Sequence, residues 1–184
     1  GYDMFAKPMV EDFKQEAKLV GIFDINRVRA EYVRKNTDTE IPVYTNYDAM
    51  MSEVKPDVAI ISTVDSTHHE YVVKTMKYGC DVIVEKPMTI DEVKCREILE
   101  VEKRTGRKVA VTFNCRYTPF FARIKELLME GAVGKILNVD FEYLLDTKHG
   151  ADYFRRWHRK KENSGGLLVH KSTHHFDIIN WWLG

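Results

Sequence analysis

Short apolar segments alternate with amphipathic segments from the start of the chain to residue 113. The apolar segments cover residues 18–24, 57–63, 81–85 and 108–113. Because they lack polar alternation, they predict strands buried on both faces. The segments between them predict helices over residues 26–35, 47–54, 67–78 and 90–104. This alternation is typical of an α/β fold with a doubly wound, Rossmann-type parallel sheet.

Residues of turn and cap type stand at the ends of these predicted helices. Asn46 and Thr89 are expected to cap helix N-termini, and Gly79 and Gly106 to end helices. With such short turns, the carboxyl ends of the strands should share one edge of the sheet. Those ends are Asp24, Thr63, Glu85 and Asn114. Ligands bind at that edge in doubly wound folds.

The pattern changes after Phe113. Residues 119–131 predict a helix, and residues 135–145 alternate in a way that predicts an antiparallel strand with one wetter face. A polar stretch over 146–164 precedes a predicted helix over 167–183. We therefore expect a nucleotide-binding domain over residues 1–113 and the start of a second domain over 114–184.

Both ends of the chain look internal to a larger fold. The chain opens at what reads as the first helix, so the first strand and most of a glycine-rich turn are expected to lie outside it. Gly1 is then the candidate last glycine of a GxGxxG element. The apolar residues before Gly184 have nothing left to bury them. These features predict that the natural protein is longer at both ends.

Charge and composition exclude some classes of function. Lysines plus arginines equal aspartates plus glutamates at 28 each, which argues against a nucleic-acid footprint. No run of about 18 apolar residues predicts a membrane span. Three scattered cysteines, Cys80, Cys95 and Cys115, indicate reduced thiols. A cytoplasmic location is expected, and a periplasmic one stays open because a leader would precede residue 1.

Asp24 follows the first apolar segment, where a dinucleotide-binding fold places an acid on the adenosine ribose. Such a carboxylate would accept hydrogen bonds from both ribose hydroxyls and repel a 2′-phosphate, which favours NAD over NADP. Nearby Arg27 could soften that repulsion. The alternative is a helix-capping aspartate without a ligand.

Two further groups carry candidate chemistry. Glu85-Lys86-Pro87 follows a predicted buried strand, and Pro87 should hold Lys86 extended at the ligand edge. On one continuous helix, His170, His174 and Asp177 would share a face. They fit acid-base catalysis on a hydroxyl, a zinc site, or structural histidines at a helix start. Trp181 and Trp182 are expected to be packing groups.

Together these residues resemble the glucose-fructose oxidoreductase and inositol dehydrogenase family (Gfo/Idh/MocA). The resemblance covers essentially the whole chain. It rests on an ordered set of elements, each weak alone: Asp24, Thr63 with His68, Glu85-Lys86-Pro87, Asn114-Cys115-Arg116, and residues 165–184.

The resemblance implies an NAD-binding domain followed by an α/β domain with an open antiparallel sheet that often makes oligomer contacts. It implies that Lys86 lies near the nicotinamide and the substrate hydroxyl and that His174 is the catalytic histidine. It assigns cofactor-lining positions to Thr63, His68 and Glu85, and Asn114 is taken as a further candidate. No bound metal is expected. The full-length protein is expected to be a homo-oligomer.

One position departs from the family pattern. The family commonly has an aspartate four residues before the catalytic histidine, whereas this chain has His170, followed by Lys171. His170 is included among the catalytic candidates because an imidazole can donate, accept or carry charge near neutral pH. The departure suggests an atypical branch, for which an acidic saccharide is one option.

The working hypothesis is hydride transfer between a sugar or polyol carbon and a nicotinamide, with His174 as base and Lys86 stabilising the oxygen. Three alternatives stay open. They are NAD-dependent glycoside cleavage by transient oxidation and elimination, a metal-dependent hydrolase or lyase using His170, His174 and Asp177, and a non-catalytic nucleotide-binding regulator.

Overall fold

The computed structural model describes residues 1–37 and 40–184. The strands are β1 (Ile22–Phe23), β2 (Val43–Tyr44), β3 (Val58–Ile61), β4 (Asp81–Val84) and β5 (Val109–Val111). The helices are α1 (Lys7–Glu11), α2 (Arg27–Asn36), α3 (Tyr47–Val54), α4 (Asp65–Lys77), α5 (Glu92–Thr105), α6 (Pro119–Met129), α7 (Thr147–Arg155), α8 (Lys161–Ser164), α9 (Leu167–His170) and α10 (Thr173–Leu183). A π-helical turn (Tyr2–Ala6) and two 3₁₀ turns (Asn114–Tyr117 and Trp157–Arg159) complete the order.

The strands confirm the predicted α/β class. β1 and β2 pair in parallel, with Ile22 opposite Val43 and Phe23 opposite Tyr44. β3, β4 and β5 are hydrogen-bonded in that order. The prediction of a fully buried strand over residues 18–24 is wrong, because only two of its residues are in β1 and Val20 is exposed. Among the described residues β1 pairs only with β2, and the ladder between them has two residue pairs.

Local side-chain chemistry explains where the helices begin. The Asn46 side chain accepts a hydrogen bond from the Ala49 amide at 3.0 Å, as predicted for the start of α3. The prediction that Thr89 caps α5 is wrong. Asp91 accepts from the Lys94 amide at 2.9 Å instead, and the Thr89 hydroxyl is buried with no hydrogen-bond partner among the described residues. A carboxylate at this position also interacts favourably with the helix dipole.

Two predictions for the C-terminal part are wrong. Residues 135–145 contain no strand, because a strand needs a pairing partner and no other described residue pairs with this segment. The predicted single helix over 167–183 is two helices, α9 and α10, separated by Lys171 and Ser172. The break follows His170, whose ring and carbonyl are both bound by residues distant in sequence.

The described residues form two compact units. The first comprises Gly1–Thr63, Glu70–Ile83 and Ile98–Ala110. Its core contains the rings of Phe23, Tyr47 and Tyr71, with centroids 4.8 to 5.4 Å apart. Burial raises the pKa of Tyr47 to about 12, so this phenol stays neutral. It forms a hydrogen bond with the hydroxyl of Thr75.

The second unit comprises Val64–His69, Val84–Glu97 and Val111–Gly184. Here α10 packs against α6. The indole of Trp182 donates to the Phe121 carbonyl at 3.1 Å, and Lys125 donates to the Trp181 carbonyl at 2.7 Å. The Trp182 ring also lies 5.7 Å from that of Phe121, and the half-buried Trp181 ring lies 5.9 Å from the Lys125 ammonium, so both side chains act as packing groups, as predicted. Within the described part of the chain, no helix has the length and apolar character needed to cross a membrane.

Candidate functional site

Asp24 directly follows β1 in the first unit. Its Oδ1 accepts hydrogen bonds from the Asn26 amide at 2.7 Å and from the Arg29 guanidinium at 3.0 Å. Among residues 1–37 and 40–184, Oδ2 has no hydrogen-bond partner, and the side chain is 31% exposed. One oxygen of the carboxylate therefore fixes its orientation while the other can accept hydrogen bonds from a ligand.

The arginine expected near Asp24 is a different one. Arg27 pairs with Glu31 at 3.5 Å, and Arg29 contacts Asp24. The helix geometry explains the difference. Arg27 has its acid four residues later on the same face of α2.

Gly1 precedes the first helical turn of the first unit. Its carbonyl accepts from the amides of Phe5 and Ala6. A Cβ at this position would lie 3.0 Å from the hydroxyl oxygen of Ser62, closer than almost all real contacts. The absence of a side chain at Gly1 thus leaves room for the Ser62 side chain just after β3. Thr63, which follows in the same loop, is exposed.

Lys86 lies in the second unit, two residues after β4. Its ammonium donates a hydrogen bond to the backbone carbonyl of His170 at 2.9 Å. Burial lowers the pKa of Lys86, with opposing contributions from Asp65 and Glu85. The adjacent Glu85 accepts a hydrogen bond from the Thr112 hydroxyl at 2.8 Å. Lys86 therefore forms no direct ion pair among the described residues.

His68 holds the turn that follows Lys86. It has no exposed surface, and its Nδ1 lies 2.8 Å from the Pro87 carbonyl oxygen. The Lys86–Pro87 peptide is cis. The contact with the Pro87 carbonyl supports an indirect effect of His68 on a ligand, through the turn. Direct contact of His68 with a cofactor stays a prediction.

His170 is buried and paired with Asp65, at 2.5 Å between Nδ1 and the carboxylate. Its ring is packed among the rings of Tyr153, Trp157 and His158, at centroid distances of 4.7 to 5.6 Å. The sequence analysis missed Asp65. The available signal was a charged residue just past a strand end, between the singled-out residues Thr63 and His68.

His174 lies in the first turn of α10 and is 7% exposed. Its Nδ1 is buried with no hydrogen-bond partner in the part of the chain that the structure describes, and its ring meets Phe113 edge to face at 6.1 Å. Burial, followed by the positive charges of Lys86 and Lys171, lowers the pKa of His174 to about 4. The imidazole is therefore neutral at pH 7 and can accept a proton.

Asp177 is occupied by another partner. Its two carboxylate oxygens accept from the guanidinium of Arg116. The prediction that His170, His174 and Asp177 share one helical face is wrong, because the chain breaks after α9. Among the described residues, no group of three or more histidine, cysteine, aspartate or glutamate side chains is arranged to hold a metal. Asn114 opens the 3₁₀ turn that carries Arg116 and is exposed.

Gly165 sets the approach to α9 within the second unit. Its φ is +71°, and an added Cβ would lie 2.8 Å from the carbonyl oxygen of Ile90. Both observations require glycine at this position. The chain leading to His170 therefore lies against the backbone that follows Pro87.

Comparisons with known proteins agree on the class. Residues 1–113 match the model of an oxidoreductase family with an NAD-binding Rossmann fold, and residues 125–184 match the family's C-terminal α/β domain. The chain belongs to this family, Gfo/Idh/MocA. The resemblance and the predicted cofactor class, a nicotinamide dinucleotide, are confirmed at this level.

Individual relatives support the same assignment. YteT of Bacillus subtilis (strain 168), which carries the name of an oxidoreductase, is 42% identical over 100% of this chain, and the chain spans 44% of that protein. The structure of myo-inositol 2-dehydrogenase from Lactobacillus plantarum matches with a TM-score of 0.81 at 24% identity, covering 96% of this chain and 51% of that one.

A third similar protein is the WlbA dehydrogenase from Bordetella pertussis, solved with NADH and UDP-GlcNAcA. It matches with a TM-score of 0.83 at 19% identity, covering 97% of this chain and 51% of that one. At these identities the two solved structures show the fold alone. This chain thus spans about half the length of the relatives that it matches.

Proposed function

We propose that this chain carries the nucleotide-binding and catalytic residues of an NAD-dependent oxidoreductase that acts on a CH–OH group of a sugar or polyol. One observation carries the proposal. A part-buried ammonium, Lys86, lies close enough to a neutral buried imidazole, His174, for its charge to lower the pKa of that histidine, and neither group is in an ion pair among the described residues. This combination suits removal of a proton from a hydroxyl and stabilisation of the oxygen that remains. These two residues, with the Asp65–His170 and Arg116–Asp177 pairs, form the Lys86 cluster.

The donors and acceptors of the first unit fit the cofactor. The free oxygen of Asp24 is proposed to accept from the ribose hydroxyls, and its charge favours NAD over NADP. The tight approach at Gly1 fits a phosphate-binding turn. Thr63 is proposed to line the cofactor here. In the second unit, the proposed lining residues are His68, Glu85, Lys86 and Asn114.

The proposed mechanism assigns one task to each side chain. His174 accepts the hydroxyl proton, and Lys86 donates a hydrogen bond to the same oxygen as negative charge develops on it. A bound nicotinamide ring supplies the hydride acceptor. The lowered pKa of His174 keeps it unprotonated and ready at neutral pH.

Asp65 and His170 are proposed as positioning residues. The Asp65 carboxylate holds the His170 ring, and the His170 carbonyl holds the Lys86 ammonium. Asp65 thereby acts on Lys86 through the backbone of α9. His170 was predicted to be catalytic, and its pairing with Asp65 favours this indirect role.

No observation favours the alternatives. A metal site would need donors that Asp177 and His170 have already committed to Arg116 and Asp65. Glycoside cleavage without net redox has no support from relatives, two of which are named as dehydrogenases. The division of the chain near residue 114, a homo-oligomeric state and a small saccharide as the only partner class remain proposals.

The test uses the full-length protein with NAD and a panel of sugars, polyols and uronic acids. The proposal predicts accumulation of reduced nicotinamide together with a product two hydrogens lighter by mass spectrometry. A cleaved glycoside without accumulated reduced nicotinamide would replace it with the elimination mechanism. Saturable NAD binding with no product from any member of the panel would support a regulator.

A further inference from the structure

Lys171 carries a positive charge close to His174 and Lys86, and it has no ion-pair partner among the described residues. Among residues 1–37 and 40–184 its ammonium forms no ion pair. It lies over the face of Tyr143, 5.6 Å from the ring centroid. Tyr143 in turn lies against His175, with centroids 4.5 Å apart. The lysine is half-buried, so part of its hydration is lost without a compensating carboxylate.

The charge of Lys171 reaches several neighbouring groups. Burial lowers the pKa of His174 and of His175, and the charge of Lys171 lowers both further. The same charge opposes the rise that burial causes in the pKa of Cys115. Lys86 adds to the effect on His174 and Cys115. Positive potential from two lysines therefore covers the surroundings of His174.

The nearby acids are occupied. Asp177 accepts from Arg116, Asp65 pairs with His170, and Glu85 accepts from Thr112. Among the described residues, none of these three acids forms an ion pair with Lys171. Among the described residues, Lys171 is therefore a cation without an ion-pair partner, and it is packed against the ring of Tyr143.

We propose that Lys171, Tyr143 and His175 form a subsite for the carboxylate of an acidic saccharide, with the ammonium of Lys171 as its counter-ion. The inference rests on the proposed function and names its substrate class. One unpaired ammonium matches the single charge of a carboxylate. A phosphate ester carries more charge and is usually held by several donors. Tyr143 is 45% exposed, so part of its ring is left as apolar surface for the sugar beside the ammonium.

The test compares matched pairs that differ only at C6. The NAD-loaded full-length protein is titrated calorimetrically with galacturonate and galactose, glucuronate and glucose, and mannuronate and mannose, and the same pairs are assayed for turnover. At least one uronate is expected to bind about tenfold or more tightly than its neutral partner. Lys171→Met should abolish that preference, because it should weaken uronate binding about 10- to 100-fold and neutral-sugar binding much less.

Two further variants keep the test falsifiable. Lys171→Arg retains the charge and should retain the preference. Lys160→Met removes an exposed lysine of the same unit and should change nothing. Equal weakening of uronates and neutral sugars in Lys171→Met, tighter binding of a sugar phosphate than of any uronate, or no binding of any uronate would overturn the proposal. A Lys171-dependent uronate preference without nicotinamide reduction would keep the subsite and reject the oxidoreductase.

Discussion

The carboxylate at Asp24 and the cluster around Lys86 are built in opposite ways. Asp24 is oriented by partners two and five residues away in sequence. Lys86 is held across 84 residues, His170 across 105 and Arg116 across 61. The first arrangement is a local turn in front of a helix, and the second exists only when the chain has folded.

This difference has an energetic side. Asp24 keeps a third of its side chain exposed, so its local bonds contribute little to stability. The Lys86 cluster is largely buried, and a buried polar group without a hydrogen-bond partner lowers the stability of the fold. The predictions that follow separate the two regions, beginning with the largest expected effect.

Lys86→Met should reduce kcat on the preferred saccharide by roughly 10³-fold, because the oxygen then loses a preorganised charged donor. NAD binding should change much less. Steady-state reduction of the nicotinamide measures the first quantity and fluorescence titration the second. Lys108→Met, which removes an exposed lysine, is the matched control. Full turnover by Lys86→Met would reject the assignment of this residue.

Asp65→Asn should lower kcat by about 10- to 100-fold with little change in KM, because a weaker hold on His170 shifts the backbone carbonyl that positions Lys86. The pH profile of kcat should also move. Asp140→Asn, at an exposed position, serves as control. An unchanged kcat and pH profile, with only a lower melting temperature, would make Asp65 a purely structural residue.

His174 should make folding stability depend on pH. Its pKa is about 4 in the folded protein against 6.5 ordinarily, so between these values only the unfolded chain binds the proton. Stability from this residue is complete above about pH 6.5 and falls as the pH drops toward 4. At pH 5 the loss is about 2 kcal/mol.

Urea unfolding at pH 7 and pH 5 measures this effect. His174→Gln should lose about 2 kcal/mol less than the wild type between the two pH values. His149→Gln, at an exposed histidine of the same unit, should behave as the wild type does. An identical pH dependence for His174→Gln and wild type would show that the imidazole is not held neutral by burial.

Asp24→Asn should raise the Kd for NAD by about tenfold, because a charged acceptor becomes a neutral one. The preference for NAD over NADP should shrink, since the carboxylate no longer repels the 2′-phosphate. Titration with both cofactors measures the ratio, and Asp12→Asn, at an exposed position, is the control. A ratio equal to that of the wild type would leave Asp24 as a helix-associated acid only.

The same contrast explains what could be predicted from sequence. The start of α3 at Asn46 and the acid after β1 follow from local patterns, and both are where the sequence places them. The pairing of Asp65 with His170 and of Lys86 with a carbonyl could not be predicted, because neither partner is near in sequence. The helix break after His170 was missed for the same reason.

Helical periodicity was misleading at one point. Spacing put His170, His174 and Asp177 on one face, yet His170 pairs with Asp65, Asp177 pairs with Arg116, and Nδ1 of His174 has no hydrogen-bond partner among the described residues. Residues 135–145 show a related limit. Their alternation indicates a strand, but a strand forms only against a neighbour, and the periodicity of one segment carries no information about its neighbour.

The acceptor for the Lys86 ammonium is main-chain oxygen, which every residue type supplies. Replacing the side chain at position 170 therefore does not by itself remove that anchor. An acid or an imidazole at this position would leave the acceptor of the lysine in place. The proposed catalytic lysine and the lysine proposed to select the sugar therefore depend on different contacts of this segment, one on the His170 carbonyl and the other on the Tyr143 ring.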